Sequence, residues 1–407
     1  MKTRMNRSKL NIGAYYLRPY ACTEEHIKEV RECGIDFIVD VPYDKKMLDL
    51  FAKYDLGAII EGYIPRWING DGTQAGKMRE IHPLRVYQEA AKEYIDHPAI
   101  WSMDICDEPS AKEFPYLHEV IEVVGEGFPN QFVYLNIYPS YAQVAANSLD
   151  TTISQLGTRT YAEHIEEYCK NIQLDYLCYD FYMYTAGQIK AYENLEIVAE
   201  ACLKTGREMW IVLQVNSFKP EVWISENQLR MQAYSAMAFG VKQIIWACYT
   251  AGWWHNQVLD KTGNKTQQYE KLKTVNHEIK CIDDEYSKYR YRSTQFIGFK
   301  ETDKDVSKIK NKPIAHFSND FFTDVYTNDG KFIVGEMVEE HNDGYALFVC
   351  AADDYKDENP KTTSLYIKAS GKPLVALNGK GEMPLKQENG YYVLTMQSCQ
   401  GALVYSK

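Results

Sequence analysis

Residues 97–110 read HPAIWSMDICDEPS: an apolar run from Ala99 to Cys106 that ends in Asp107, Glu108 and Pro109. A short, mostly apolar run whose charged groups gather towards its end fits a strand of a parallel sheet, covered on both faces and opening into a functional loop. Seven more runs of this kind occur before residue 290. They are Asn11–Leu17, Ile35–Val41, Leu56–Tyr63, Gln131–Tyr138, Leu174–Tyr182, Glu208–Gln214 and Val241–Tyr249. Stretches of helical period separate them, and eight strands alternating with helices is the closure number of the (β/α)₈ barrel.

Helix signals between the runs agree with this. Thr23 precedes Glu24 and Glu25 as an N-cap, and that helix ends near Gly34. Ser225 and Gln228 form a capping box before Leu229, Gln232, Ala233, Ala236 and Met237. Tyr269, Leu272, Val275, Ile279 and Ile282 recur at helical spacing and predict a closing helix. From about Arg292 the texture changes to short strands and turns, with Asn328-Asp329-Gly330 and Asn342-Asp343-Gly344 reading as hairpin signals. The expected organisation is an α/β chain: residues 1–290 a (β/α)₈ TIM barrel carrying the catalytic groups, residues 291–407 a small antiparallel β-sandwich.

The whole-chain balance narrows the function. The 407 residues are 45% hydrophobic and 25% charged, enough to bury a large core. A net charge of −11 lacks the basic face that phosphate neutralisation needs, so nucleic acid is not expected as a partner. No window reaches the roughly 18 uninterrupted apolar residues of a membrane span, and the basic start MKTRMNRSKLNIG has no apolar signal segment. No membrane association is expected. The ten cysteines form no CxxC pair and read as mostly buried free thiols, which favours a cytoplasmic setting, or a secreted one if a signal peptide was removed. His82, His97 and His255 have no metal spacing, and HExxH, P-loop, GxGxxG and GxSxG motifs are absent, so no metal, cofactor or serine nucleophile is expected.

In a barrel of this kind the catalytic groups sit at the C-terminal ends of the strands. Those ends carry Arg18, Asp40, Glu61, the Asp104–Glu108 stretch, Asn136, Asp180, Gln214 and Tyr249. Alternation along a regular fourth strand would point Glu108 over the mouth, Asp104 the same way but deeper, and Asp107 to the other side. Crowded carboxyls against apolar walls raise one another's pKa, which suits one of them to act as a general acid near neutrality. Aromatic residues fall near the same ends: Tyr63, Trp67, Tyr138, Tyr182, Tyr184, Trp246, Tyr249, Trp253 and Trp254. Their faces suit the C–H faces of sugar rings.

The ending DEP after WSMDIC resembles the NEP or DEP signature of clan A glycoside hydrolases, the superfamily of cellulase-like enzymes and family 42 β-galactosidases. The resemblance extends through VYLNIYP, LDYLCYDFYMY and LRMQAYSAMAFGVKQIIWACY. It implies that Glu108 is the general acid/base and that a carbohydrate is the substrate. One departure stands out: the clan's retaining enzymes end strand seven in a nucleophilic Glu, and here MWIVLQVNSF puts Gln214 there. An amide cannot form a glycosyl ester. Asp180 is the replacement expected, with Glu61 and Asp104 behind it. Glu61, Asp104, Asp107, Asn136, Tyr182, Gln214, Trp246, Tyr249, Trp253 and Trp254 are the expected substrate contacts. The alternative is a catalytically silent glycan-binding protein on a glycosidase scaffold.

Overall fold

The computed structural model describes residues 4–69, 74–142, 155–340, 342, 344–353, 360–371 and 373–406. Eight parallel strands occur where the apolar runs predict them: β1 (Asn11–Tyr15), β2 (Phe37–Pro42), β3 (Gly57–Glu61), β4 (Ile100–Asp107), β5 (Phe132–Asn136), β6 (Tyr176–Phe181), β7 (Glu208–Gln214) and β8 (Val241–Ala247). They pair in the order β4-β3-β2-β1-β8-β7-β6, with β5 on the other edge of β4. The seam between β5 and β6 is closed by a bridge from Ile137 to Tyr179. Lower down the two strands splay, and the Tyr176 hydroxyl fills the gap by donating to the Val133 carbonyl and accepting from the Leu135 N–H, at 2.7 and 3.2 Å. The Ile137 N–H then donates to the Cys178 carbonyl at 2.9 Å, where the strands meet again.

Period-two alternation sorts the side chains. Tyr15, Phe37, Val39, Ile59, Phe132, Tyr134, Tyr176, Trp210, Val212 and Ile245 fill the barrel, and the intervening apolar residues face the helices. Gly13 has no side chain because the Phe37 ring occupies the space, 2.4 Å from where its Cβ would lie. Thr23 caps the helix Glu24–Glu32, the Ser225–Gln228 capping box opens Glu226–Ala238, and the closing helix spans Gln267–Tyr286, all as predicted. Seven of the ten cysteines are buried, and none is bonded to another.

Eleven antiparallel strands follow. They are β9 (Tyr289–Ile297), β10 (His316–Phe317), β11 (Phe322–Thr327), β12 (Phe332–Glu339), β13 (Tyr345–Ala351), β14 (Thr362–Ala369), β15 (Leu374–Asn378), β16 (Gly381–Met383), β17 (Lys386–Glu388), β18 (Tyr391–Gln397) and β19 (Gly401–Ser406). One sheet runs β9-β12-β13-β19-β15-β16, the other β10-β11-β14-β18-β17. Both faces of β13 are buried: Leu347, Val349 and Ala351 join the sandwich core, while Phe348 packs on Tyr234 and Tyr286 of the barrel helices. Such a strand has to read as a continuous apolar run. The approach is close enough that a Cβ on Gly335 would meet the Ala238 carbonyl.

The two hairpin signals divide. Asn328-Asp329-Gly330 joins β11 to β12, which lie in different sheets, so it is a crossover and not a hairpin. Asn342 and Gly344 lie between β12 and β13, which do pair antiparallel, while Asp343 is outside the described residues.

Candidate active site

The C-terminal ends of the strands surround a cleft of about 310 Å³ lined by Asp107, Glu108, Asn136 and Asp180, with Tyr15 and Val212 deeper and Tyr141, Tyr182, Trp253 and Trp254 as aromatic walls. A larger cavity of about 760 Å³ lies at the opposite ends of the strands, against the sandwich, and is lined by Arg7, Glu208, Lys242 and Arg290. Its charges are committed: Arg7 pairs with Asp175 and Glu208, and Arg290 with Glu340. Chemistry in this fold belongs to the C-terminal face, so the smaller cleft is the candidate.

β4 reaches that face through an irregularity. Its register against β5 shifts between Asp104 and Cys106, as a β-bulge does, and the shift breaks the alternation. Asp104 and Asp107 therefore both point into the barrel mouth, which corrects the expectation that Asp107 faces away. At Glu108 the backbone turns to a left-handed φ of 50°, and its N–H donates to the Asn136 carbonyl at 2.8 Å. A left-handed glutamate costs on the order of 1 kcal/mol, and residues held in this way cluster at functional sites. Asp40 and Trp254, at φ 59° and 62°, share the conformation around the same mouth.

Asp180, on β6, is buried beside Glu108. Its Oδ1 accepts from Asn136 Nδ2 at 3.1 Å and its Oδ2 from the Tyr141 hydroxyl at 2.9 Å, and its carboxyl is in hydrogen-bonding contact with that of Glu108. Burial raises its pKa, and those three contacts pull it back. Asn136 also donates to Asp107 Oδ1 at 3.3 Å, so one amide ties Asp107 to Asp180. Burial pushes Asp107 up to about 6, opposed by Arg66 and reinforced by Asp40 and Asp180.

Arg66, which lies beyond the end of β3, supplies a cation to the site. A two-residue extended segment, Trp67–Ile68, pairs in parallel with Cys106 and Asp107, which lays Arg66 across the mouth. Its guanidinium faces Asp104 at 2.8 Å, Asp40 at 3.2 Å, Asp107 at 3.5 Å and Glu61 at 3.6 Å. Burial disfavours its charge, but Asp104, Asp40 and Asp107 outweigh this and raise its pKa. Asp104 is held well above the usual carboxylate range by burial and by Asp40 beside it. The available signal was a lone arginine in the apolar stretch after β3; Tyr141, in the loop after β5, carried none.

The aromatic walls interlock. Trp253 meets Tyr15 and Tyr16 edge-on at 5.7 Å each, and Trp254 meets Tyr182 at 4.9 Å. The Trp253 indole N–H is buried and has no acceptor among the described residues.

Of the expected contacts, Asp107, Asn136, Tyr182, Trp253 and Trp254 line the cleft together with Glu108 and Asp180. Glu61 stands at the rim, paired with Arg66 and with its pKa raised by burial. Four others are corrected. The Asp104 side chain is wholly buried beneath Arg66, with Oδ1 accepting from the Cys106 N–H at 3.2 Å. Trp246 faces the helix layer and donates to Asn276 at 2.8 Å. Tyr249 is buried in the same layer. Gln214 is spent on the fold: its Nε2 donates to Thr185 Oγ1 and the Asn216 carbonyl, and its Oε1 accepts from the Tyr184 N–H, at 3.2, 3.0 and 3.1 Å. Among the described residues no cluster of His, Cys, Asp and Glu could hold a metal ion, and no helix is long and apolar enough to cross a membrane.

Comparison with solved structures finds the same fold in another protein along nearly the whole chain. A protein described as a glycoside hydrolase superposes over 98% of this chain and 92% of its own, with a TM-score of 0.54 at 10% identity. A β-glucuronidase from Bifidobacterium dentium matches 65% of the chain with a TM-score of 0.45 at 13% identity, and this chain spans 45% of its length. An endoglucanase from Pseudomonas stutzeri matches 66% of the chain and 94% of its own, with a TM-score of 0.41 at 15% identity. At these identities the likeness is one of fold. No family model matches the sequence, and no curated protein does.

Proposed function

We propose that this chain is a glycoside hydrolase in which Glu108 protonates the glycosidic oxygen. The observation that carries the reading is the contact between Glu108 and Asp180 inside an aromatic-walled cleft. Two carboxyls in contact share a proton. Asp180 already accepts from Tyr141 and Asn136, which favour its anionic form, so the shared proton resides on Glu108, as a general acid requires. Asp180 is catalytic as the anionic partner that holds the proton on Glu108 until the glycosidic oxygen takes it, and the water consumed in hydrolysis supplies the proton that restores Glu108. The contact is too short for the pair to flank a scissile bond, since retaining pairs stand about 5–5.5 Å apart and inverting pairs about 6.5–9.5 Å. Asp107, partly exposed in the cleft and pushed up to about 6 by burial, is the carboxylate that activates water or attacks. The residues placed to hold the sugar are Asn136, Tyr182, Trp253 and Trp254. We assign residues 1–290 to the catalytic barrel and 291–407 to the accessory sandwich.

A second reading has one observation in its favour: the end of β7 offers only Gln214, and its amide is fully engaged by Tyr184, Thr185 and Asn216. On that reading the protein binds glycans without cleaving them. Hydrolysis of a panel of alkyl glycosides and oligosaccharides by the native protein, lost in Glu108→Gln, supports the enzyme. Sugar binding with no turnover in either protein supports the binder.

A further inference from the structure

β7 leads into a loop that carries Phe218 and Val222, 62% and 44% exposed, and Phe218 is the most exposed large apolar residue among those described. A lone exposed apolar side chain calls for no explanation, but this one is held in place. Ser217 and His255 exchange both backbone hydrogen bonds, at 2.8 and 2.9 Å. Asn256 Nδ2 donates to the carbonyls of Pro220 and Val222 at 2.9 and 2.6 Å. These four bonds clamp the loop onto the segment that carries Trp253 and Trp254. Phe218 consequently stands edge-on to Trp254 at 6.0 Å, and Trp254 edge-on to Tyr182 at 4.9 Å. The three rings run without interruption from the cleft wall to solvent.

We infer that Phe218 and the outward side of Trp254 form a further subsite for a second pyranose ring, so that the ligand is a neutral oligosaccharide and not a single sugar. The inference rests on the carbohydrate reading of the cleft. A phenyl ring has no polar group and recognises only the C–H face of its partner, and clamping removes the ordering cost that a mobile loop would impose on binding. Continuity with Trp254, itself in the cleft wall, fixes the occupant as the neighbour of the sugar held there.

The test uses sugars of increasing length. Glycosyl fluorides of glucose, galactose, mannose and xylose have a leaving atom too small to reach Phe218, and serve as the baseline. With the sugar that is turned over, Phe218→Ala should raise KM for oligosaccharides of three or more rings by about tenfold, the scale of partly burying one aromatic side chain. It should leave kcat/KM on the fluoride within about twofold, and Phe218→Trp should restore the long substrates. Unchanged KM at every length, or an equal loss on the fluoride, overturns the subsite while leaving the hydrolase reading intact. If the native protein turns over none of these sugars, the hydrolase reading fails and tryptophan fluorescence decides the subsite, by titration with cellohexaose, xylohexaose and mannohexaose. A response lost in Phe218→Ala supports the subsite, and no response in the native protein overturns it.

Discussion

Asp104 and Asp107, three residues apart on one strand, both face the guanidinium of Arg66, at 2.8 and 3.5 Å. A regular strand would send them to opposite faces. The register shift at Asp104 brings both inward and leaves Glu108 at the rim with Asp180 against it. Four carboxylates then surround one arginine, and the site retains protons that exposed acids would release.

Removing the arginine should expose that imbalance. Arg66→Met leaves Asp40, Asp104, Asp107 and Glu61 without their cation, and breaking a buried pair from one side costs about 3–5 kcal/mol. The loss should be largest above neutral pH and shrink on acidification, because protonated acids no longer repel. Arg66→Lys should recover only part of it, since one ammonium cannot face four carboxylates as the fork does. Denaturant melts at pH 5 and pH 8 check both statements.

Asp107 makes a prediction with a definite sign. Its folded pKa, about 6, lies above the unfolded value of about 3.9, so its contribution to stability is full below the unfolded pKa and is lost as pH rises through 6. Asp107→Asn should therefore stabilise the protein at pH 8, by at most about 3 kcal/mol, and leave it nearly unchanged below pH 4. In the native protein the acidic limb of kcat/KM should fall near pH 6, and Asp107→Asn should abolish turnover rather than shift that limb. Melting curves and a pH–rate profile read the two effects separately.

Gln214 and Asp180 part company under mutation. Gln214→Ala loses three hydrogen bonds inside the fold and should cost about 1–3 kcal/mol of stability, with little effect on sugar affinity. Asp180→Asn should damage turnover more than Gln214→Ala does, because it removes the carboxylate that holds the proton on Glu108. Paired melts and kcat measurements on the two variants separate fold from chemistry.

The barrel was legible because each strand is buried on both faces and reads as an apolar run, and because caps such as Thr23 and Ser225 mark helix starts locally. The site was legible where it depends on position at a strand end: Glu108, Asp180, Asn136 and the Trp253-Trp254 pair. It was not legible where it depends on departures from regular geometry. The bulge that turns Asp107 inward leaves no mark on an apolar run. Trp246 and Tyr249 lie near a strand end like the others, and only the direction of the side chain distinguishes core from cleft. Arg66 lies in a loop whose parallel pairing with β4 joins chain segments nearly forty residues apart. The turn at Asn328-Asp329-Gly330 is punctuation that cannot say whether the next strand pairs with the last or joins the facing sheet.

The measurement that tests the general-acid assignment most directly compares two glycosides of one sugar, one with a dinitrophenyl leaving group and one with an alkyl alcohol, in native protein and in Glu108→Gln. A dinitrophenolate departs without a proton, and an alkoxide does not. If Glu108 is the general acid, the variant should lose about 10²–10⁴-fold in kcat/KM on the alkyl glycoside and far less on the dinitrophenyl one, with its melting temperature nearly unchanged. Equal losses on both substrates, or near-native turnover of the alkyl glycoside, would contradict the assignment.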